Sequence, residues 1–111
     1  MGGYAQVATA PIERTFRVPE SLPTREAVAI PVQMLTTHNT LHKWERLAPE
    51  EHVIIHAAAG GVGSLAIQLA AAAGAEVFAT ASTDAKLDIA KELGADHAIN
   101  YSECNVVESI S

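Results

Sequence analysis

The feature that most constrains this chain is a run of small residues between two apolar segments. The run is Ala58-Ala59-Gly60-Gly61-Val62-Gly63, and it follows residues 53–57, which are apolar except for His56. A short apolar run rich in β-branched residues is typical of a buried parallel strand, whereas residues 63–73, rich in Ala and Leu, favour a helix. The sequence therefore predicts a strand and a helix joined by a glycine-rich turn.

The same alternation continues downstream. Residues 76–81 predict a second strand, residues 84–93 a second helix and residues 97–100 a short third strand. Gly74 and Gly94 stand where helices end in a left-handed residue. Strands that alternate with helices at this spacing indicate βαβ units and a parallel sheet. In the tail, apolar residues recur at helical spacing: Val106, Val107 and Ile110.

The turn matches the pattern G-x-G-x-x-G with Ala58 at the first glycine position. Glycines there let the backbone turn tightly and approach a pyrophosphate, and the last one lets helix and strand pack closely. Free N–H groups and the helix dipole then hold the anion. The alternative is a tight turn that binds no nucleotide. We predict an α/β fold, a partial Rossmann fold with three parallel strands in the order 3-2-1 and flanking helices. The predicted binding residues of the turn are Ala59, Gly60, Gly61, Val62 and Gly63.

The end of the second strand bears on the choice of dinucleotide. An NAD site places an acidic residue there to bind the ribose hydroxyls, but residues 79–83 contain no carboxylate. Ser82, Thr83 and Lys86 are suited to a 2′-phosphate through hydroxyl hydrogen bonds and a point charge, so NADP(H) is favoured over NAD(H). Asp84 opposes this interpretation unless it is a first-turn acid of the helix. Taken alone, Lys86 is better explained as a solvated helix lysine.

The first half of the chain has weaker patterns. Val7 and residues 12–18 have the composition of short strands, although their partners are not evident. Thr24 is a plausible N-cap of a helix that Pro31 should interrupt. The residues expected to be buried in this region are Leu35, Leu41 and Trp44.

Charge and composition exclude several classes of protein. The 7 basic and 13 acidic residues give a formal charge of −6, which argues against nucleic acid or an anionic membrane as partner. The longest apolar stretch is far shorter than the roughly 20 residues that span a bilayer. The first residues lack the pattern of a secretion signal, so a cytoplasmic location is expected. Cys104 is the only cysteine, which excludes an intrachain disulfide.

No metal site or hydrolase site is predicted. His38 and His42 lie one helical turn apart, but no third ligand accompanies them at a suitable spacing. Exposed helix histidines are the simpler explanation for this pair. His52, His56 and His97 are expected at core or edge positions of the strands. The chain contains no G-x-S-x-G sequence.

Taken together, these motifs resemble the zinc-independent quinone oxidoreductase branch of the medium-chain dehydrogenase/reductase family. The resemblance rests on the glycine-rich turn, on Ser82-Thr83-Asp84-Ala85-Lys86 and on residues 93–101, Leu-Gly-Ala-Asp-His-Ala-Ile-Asn-Tyr. Upstream, Gly2-Gly3-Tyr4-Ala5, residues 18–22 and Pro31-Val32 are also similar to family segments. The resemblance covers nearly the whole chain and is more specific than the glycine motif alone.

The resemblance implies an NADPH-dependent reductase of quinones or activated enones, with direct hydride transfer and no metal. By position, Gly60, Gly61, Val62 and Gly63 would hold the pyrophosphate. Ser82, Lys86 and Tyr101 would surround the 2′-phosphate, and Thr36 would lie near the nicotinamide. Residues 1–22 would correspond to the end of a GroES-like catalytic domain, 23–48 to a connecting helical segment and 49–111 to the first half of the dinucleotide-binding domain.

Departures from the family pattern qualify this expectation. Met34 and His38 stand where the family has a glycine and an aromatic residue, and the chain matches only part of a full-length member. Activity of the chain alone is therefore left open. The alternative is a non-catalytic nucleotide-binding or self-assembling protein. Because the first strand would be an apolar edge, we expect a homodimer or higher homo-oligomer.

Overall fold

A three-stranded parallel sheet organises the chain, which a computed structural model describes over residues 3–110. The strands are β1 (His52–Ile55), β2 (Glu76–Ala81) and β3 (His97–Asn100). β2 lies in the centre and pairs in parallel with both neighbours. The predicted α/β class, the parallel direction and the order 3-2-1 are confirmed. β1 ends two residues earlier than predicted, because the chain turns at His56 and Ala57.

Two helices cover one face of the sheet. They are α3 (Gly61–Ala72), which follows β1, and α4 (Asp84–Glu92), which follows β2. α3 begins two residues before the predicted start and ends one residue before the predicted end. Both helices contribute to one hydrophobic core with the strands, since apolar side chains at every second strand position face them. The central members of this core are Ile55, Ile67, Ala70, Val77, Ala79 and Ala90.

Both helices end as predicted, at glycines in the left-handed region. Gly74 has φ +81° and Gly94 has φ +111°. At the first helix end, the N–H of Ala75 donates to the carbonyl oxygen of Ala70 at 3.1 Å, and that of Gly74 donates to Ala71 at 3.0 Å. This pair of hydrogen bonds is the Schellman motif, which satisfies the last carbonyls of the helix. The second helix ends with the same pair of bonds.

The N-terminal segment corrects one prediction. Val7 and residues 12–18 form no strand among the described residues, and the only regular structure there is a 3-10 turn at Ile12–Arg14. Val7 and Phe16 are both highly exposed. A strand needs a partner for its ladder hydrogen bonds, and the described sheet contains only β1 to β3. Gly2 of the family-like segment lies outside the described residues.

Three helical segments lie between the 3-10 turn and the sheet: α1 (Thr24–Ala27), α2 (Pro31–His38) and a π-helical turn at Asn39–Trp44. Thr24 is the first helical residue and Pro23 occupies the N-cap, so the predicted cap was wrong by one position. Pro31 does interrupt the helix, and it also starts the next one, where its missing N–H has no consequence.

The predicted buried residues of this region were only partly right. Leu41 is buried, but Leu35 is 62% exposed and Trp44 is 69% exposed. Instead, the fully buried Thr37 faces α3, and its hydroxyl donates to the carbonyl oxygens of Gln33 and Val62. Leu35 lies on the opposite side of this helix. The wider π-helical turn rotates Trp44 out of line with Leu41.

The described chain ends in a short helix, α5 (Val106–Ile110), as the spacing of its apolar residues predicts. α5 and β1 line an open apolar groove on the second face of the sheet, where Ile54 is 45% exposed. No helix in the described part of the chain is long and apolar enough to cross a membrane.

Candidate functional site

The turn after β1 reverses the chain within a few residues. The N–H of Ala58 donates to the Thr80 carbonyl oxygen at 3.1 Å, and that of Gly60 donates to the Ala57 carbonyl oxygen at 2.8 Å. The left-handed residue of this turn is Ala57, with φ +50°, and not a glycine of the motif. Gly60 is extended, with φ −77° and ψ 167°, and is the N-cap of α3. Glycine is therefore not needed for backbone freedom at Gly60.

Close packing explains two of the glycines instead. A Cβ on Gly63 would overlap the backbone carbonyl oxygen of Ala57 and lie 3.0 Å from the Cα of Ala58. A Cβ on Gly61 would lie 3.1 Å from the Cγ of Gln33, on α2. These positions hold α3 close to β1 on one side and to α2 on the other, which fixes the direction of the helix.

The N-terminus of α3 carries no side-chain cap. The first N–H groups of a helix have no acceptor within the helix, and Gly60 has no side chain that would accept a hydrogen bond from them. The helix dipole is also positive at this end. The turn therefore offers an anion both free N–H donors and a positive electrostatic potential.

A cleft of about 250 Å³ opens beside this turn, where the three parallel strands end. Its walls come from the turn, the end of β2, the first turns of α4 and the residue after β3. The lining residues are Ala57, Ala59, Gly60, Ala81, Ser82, Lys86 and Tyr101. The structure thus brings together predicted residues from three separate segments of the chain.

Lys86 gives the cleft its positive charge. Its Nζ lies 3.4 Å from the Oγ of Ser82, and it takes no part in the ion pair between Lys91 and Asp88 on the same helix. No carboxylate of residues 3–110 lies within ion-pairing distance of this ammonium group. Tyr101 is 52% exposed. Its backbone is held to the end of β2 by its N–H, which donates to the Ala81 carbonyl oxygen at 3.1 Å. The cleft therefore combines an unpaired cation, a hydroxyl and an aromatic ring.

Other predicted residues lie outside the cleft lining. Gly61, Val62 and Gly63 form the first turn of α3, and Thr83 is the exposed N-cap of α4. Thr36 is exposed on α2, and its hydroxyl donates to the carbonyl oxygen of Val32 at 2.9 Å. The structure does not bring Thr36 to the residues of the cleft.

Sequence reasoning missed a network beside the cleft. Asn100, the last residue of β3, donates from Nδ2 to the Oδ1 of Asp84 at 3.0 Å. Its Oδ1 accepts from the N–H of Ser102 at 3.1 Å, and the Ser102 hydroxyl donates to the carbonyl oxygen of Ser82 at 3.2 Å. Asp84 is the first residue of α4, as the first-turn interpretation predicts. Asn100 and Asp84 are distant in sequence and no sequence pattern connects them. They meet because parallel pairing places the end of β3 beside the end of β2.

The histidines of the strands lie on the second face of the sheet. His52 and His97 contact the two carboxylate oxygens of Glu76, at 2.8 and 2.7 Å, and Phe78 stacks on His97. His56 lies 2.9 Å from the hydroxyl of buried Thr80 through its Nδ1. Within residues 3–110, no three potential ligands are placed to hold a metal ion. The predicted pair His38 and His42 makes a ring contact at 5.3 Å between centroids.

The fold and this cleft define an α/β protein of the Rossmann type. A family model described as zinc-binding dehydrogenase matches residues 61–111. The 2-haloacrylate reductase of a Burkholderia species is 34% identical over 112 aligned residues, covering 99% of this chain and 34% of that protein.

Solved structures of two quinone oxidoreductases are also similar to this chain. The quinone oxidoreductase of Pseudomonas syringae pv. Tomato DC3000 superposes with a TM-score of 0.82 at 38% identity, over 86% of this chain and 29% of that one. The Escherichia coli quinone oxidoreductase complexed with NADPH gives 0.80 at 38% identity, over 83% and 28%. In these comparisons the chain is similar to quinone oxidoreductases and to a related reductase of the medium-chain dehydrogenase/reductase type. It spans about a third of the length of the curated reductases that it matches.

Proposed function

We propose that the cleft binds the adenosine end of NADP(H) and that the start of α3 binds the pyrophosphate. The observation that carries this proposal is the position of Lys86 in a cleft formed where the three strands end. Ligands of open α/β sheets bind outside the carboxyl ends of the strands, beside the first glycine-rich turn. An ammonium group without a carboxylate partner is suited to a phosphate there.

The proposed contacts follow from the donors that the cleft offers. The N–H groups of Gly61 and Val62, at the start of α3, would donate to the pyrophosphate. The Ser82 hydroxyl and the Lys86 ammonium group, 3.4 Å apart, would bind the 2′-phosphate together. Tyr101 would form the wall of the adenosine pocket. NADPH is named as the ligand of the matched Escherichia coli enzyme, which supports this choice of dinucleotide.

The matched proteins support a role in the reduction of quinones or activated enones, since they are named quinone oxidoreductase and 2-haloacrylate reductase. When bound, NADPH supplies the hydride, and the described residues of this chain bind and orient its phosphate groups. A position of Thr36 near the nicotinamide stays a prediction. So do the division of the chain at residues 22 and 48 and the cytoplasmic location.

Titration of the whole chain with NADPH and with NADH tests the proposed site directly. We expect a dissociation constant on the order of micromolar for NADPH and at least tenfold weaker binding of NADH, measured by calorimetry. Adenosine 2′,5′-bisphosphate, which carries the 2′-phosphate without the nicotinamide, should compete with NADPH. Failure of both dinucleotides to bind would refute the proposed function.

A second candidate function is self-assembly through the sheet, and one observation favours it. β1 is an edge strand among the described strands, and Ile54 on it is 45% exposed. An edge strand with free N–H and C=O groups and an apolar side chain is a template for pairing with another chain. We propose a homodimer or higher homo-oligomer that uses this edge.

A further inference from the structure

Asp84 is the carboxylate that stands between Ser82 and Lys86, the two proposed ligands of the 2′-phosphate. It lies two residues after Ser82 and two before Lys86, at the first position of α4. A carboxylate here would repel a 2′-phosphate and would accept hydrogen bonds from ribose hydroxyls, as the acidic residue of NAD sites does. Its orientation therefore bears directly on which dinucleotide the cleft prefers.

The structure places the Asp84 side chain outside the cleft. Asp84 is absent from the lining of the cleft and instead lines a neighbouring groove along β3, together with Asn100 and Glu103. Its Oδ1 accepts the hydrogen bond from the Nδ2 of Asn100 at 3.0 Å. Lys86 makes no ion pair with it, since the described residues include no carboxylate within 4.0 Å of that ammonium group.

Asn100 is itself held in place at the end of β3. It is half-buried, its backbone pairs with Ala81 in the sheet, and its Oδ1 accepts from the N–H of Ser102. The amide group thus presents its Nδ2 to Asp84 while its oxygen is already engaged. The fixed amide gives the Asp84 carboxylate a hydrogen-bond donor on the side away from the cleft.

We propose that Asn100 is a positioning residue that sets the preference for a 2′-phosphorylated dinucleotide, because it holds the Asp84 carboxylate outside the cleft. The proposal rests on the proposed function of the cleft. Asn100 does not touch the dinucleotide and acts only through Asp84. Released from the amide, the carboxylate would face either the phosphate, which it repels, or the ribose hydroxyls of NADH, which it binds.

A double-mutant cycle tests this on the whole chain. The four proteins are the wild type, Asn100→Ala, Asp84→Asn and the double variant, each titrated with NADPH and with NADH by calorimetry. We expect Asn100→Ala to reduce the ratio of NADPH affinity to NADH affinity by roughly three- to tenfold. A change of this size corresponds to one interaction between two charges that solvent partly screens. With Asp84→Asn already present, the same substitution should leave the ratio unchanged within about twofold.

Asn100→Asp provides a second variant of nearly the same shape, in case the alanine variant does not fold. It replaces the donor by a second carboxylate, so it should lower the ratio at least as much as Asn100→Ala. Equal weakening of both dinucleotides would show that Asn100 only supports the fold. The same change of ratio with and without Asp84→Asn would show that Asn100 does not act through Asp84. Either result would overturn the proposal. A wild type that binds neither dinucleotide would instead refute the function of the cleft itself, and this inference with it.

Discussion

The backbone carbonyl oxygen of Ala57 occupies the space that a Cβ on Gly63 would need. The contact joins the turn after β1 to the first turn of α3, so it sets how closely the helix approaches the strand. Gly63 is buried, and the neighbouring Ala58 is also fully buried, which leaves little room for relaxation.

Gly63→Ala should therefore lower the free energy of unfolding by about 1–3 kcal/mol, the usual cost of overpacking a buried site. It should also weaken NADPH binding, because α3 would move away from the turn. Urea unfolding and calorimetry measure the two effects. Gly3→Ala is the matched control, since a Cβ there meets nothing within 4 Å, and it should change stability by less than about 0.5 kcal/mol. An unchanged stability in Gly63→Ala would contradict the packing argument.

Lys86→Ala should weaken NADPH binding roughly tenfold, about 1.4 kcal/mol, because Lys86 is the only cation among the described residues that line the cleft. NADH lacks the 2′-phosphate, so the substitution should weaken its binding much less. Lys91→Ala is the control on the same helix, since Lys91 faces the groove along β3 and lies 3.8 Å from Asp88. Equal effects of the two substitutions on NADPH would indicate only a general loss of positive charge.

Asp96 joins β2 to the start of β3 by two hydrogen bonds. Its Oδ2 accepts from the N–H of Val77 at 2.8 Å, and its own N–H donates to the Val77 carbonyl oxygen at 3.0 Å. Val77 is fully buried, so Asp96→Ala would leave its N–H without an acceptor. We expect a loss of about 1–3 kcal/mol in the free energy of unfolding.

Asp88→Ala is the control for this prediction. Asp88 is an exposed acid of α4 with a long contact to Lys91, so its removal should change the free energy of unfolding by less than about 0.5 kcal/mol. Chemical denaturation of both variants provides the comparison. Similar stabilities of the two proteins would mean that water replaces the Asp96 carboxylate at no cost.

Self-association through β1 predicts a concentration-dependent mass in sedimentation equilibrium. Ile54→Lys should shift the equilibrium towards monomer by at least tenfold, because a charge on an edge strand opposes pairing with a second chain. Ile89→Lys is the matched control on α4, with 47% exposure against 45% for Ile54. A wild type that stays monomeric at moderate concentration would exclude this assembly.

The elements fixed by local preference could be predicted from the sequence. The bounds of β2 and β3 and the helix ends at Gly74 and Gly94 are as expected, because apolar patterning and left-handed glycines act within a few residues. The first half of the chain was less predictable. Strand propensity in residues 12–18 does not form a strand without a partner, and Leu35 and Trp44 are exposed although both are apolar.

The sequence by itself thus determined the βαβ order, the glycine-rich turn and the residue types suited to a phosphate. Only the tertiary structure decided which of these residues share a cleft, since parallel pairing brings the ends of distant strands to one edge of the sheet. The same pairing places Asn100 against Asp84 and His52 against Glu76. Such contacts depend on strand register, which is set by packing across the whole sheet and not by the residues on either side of each partner.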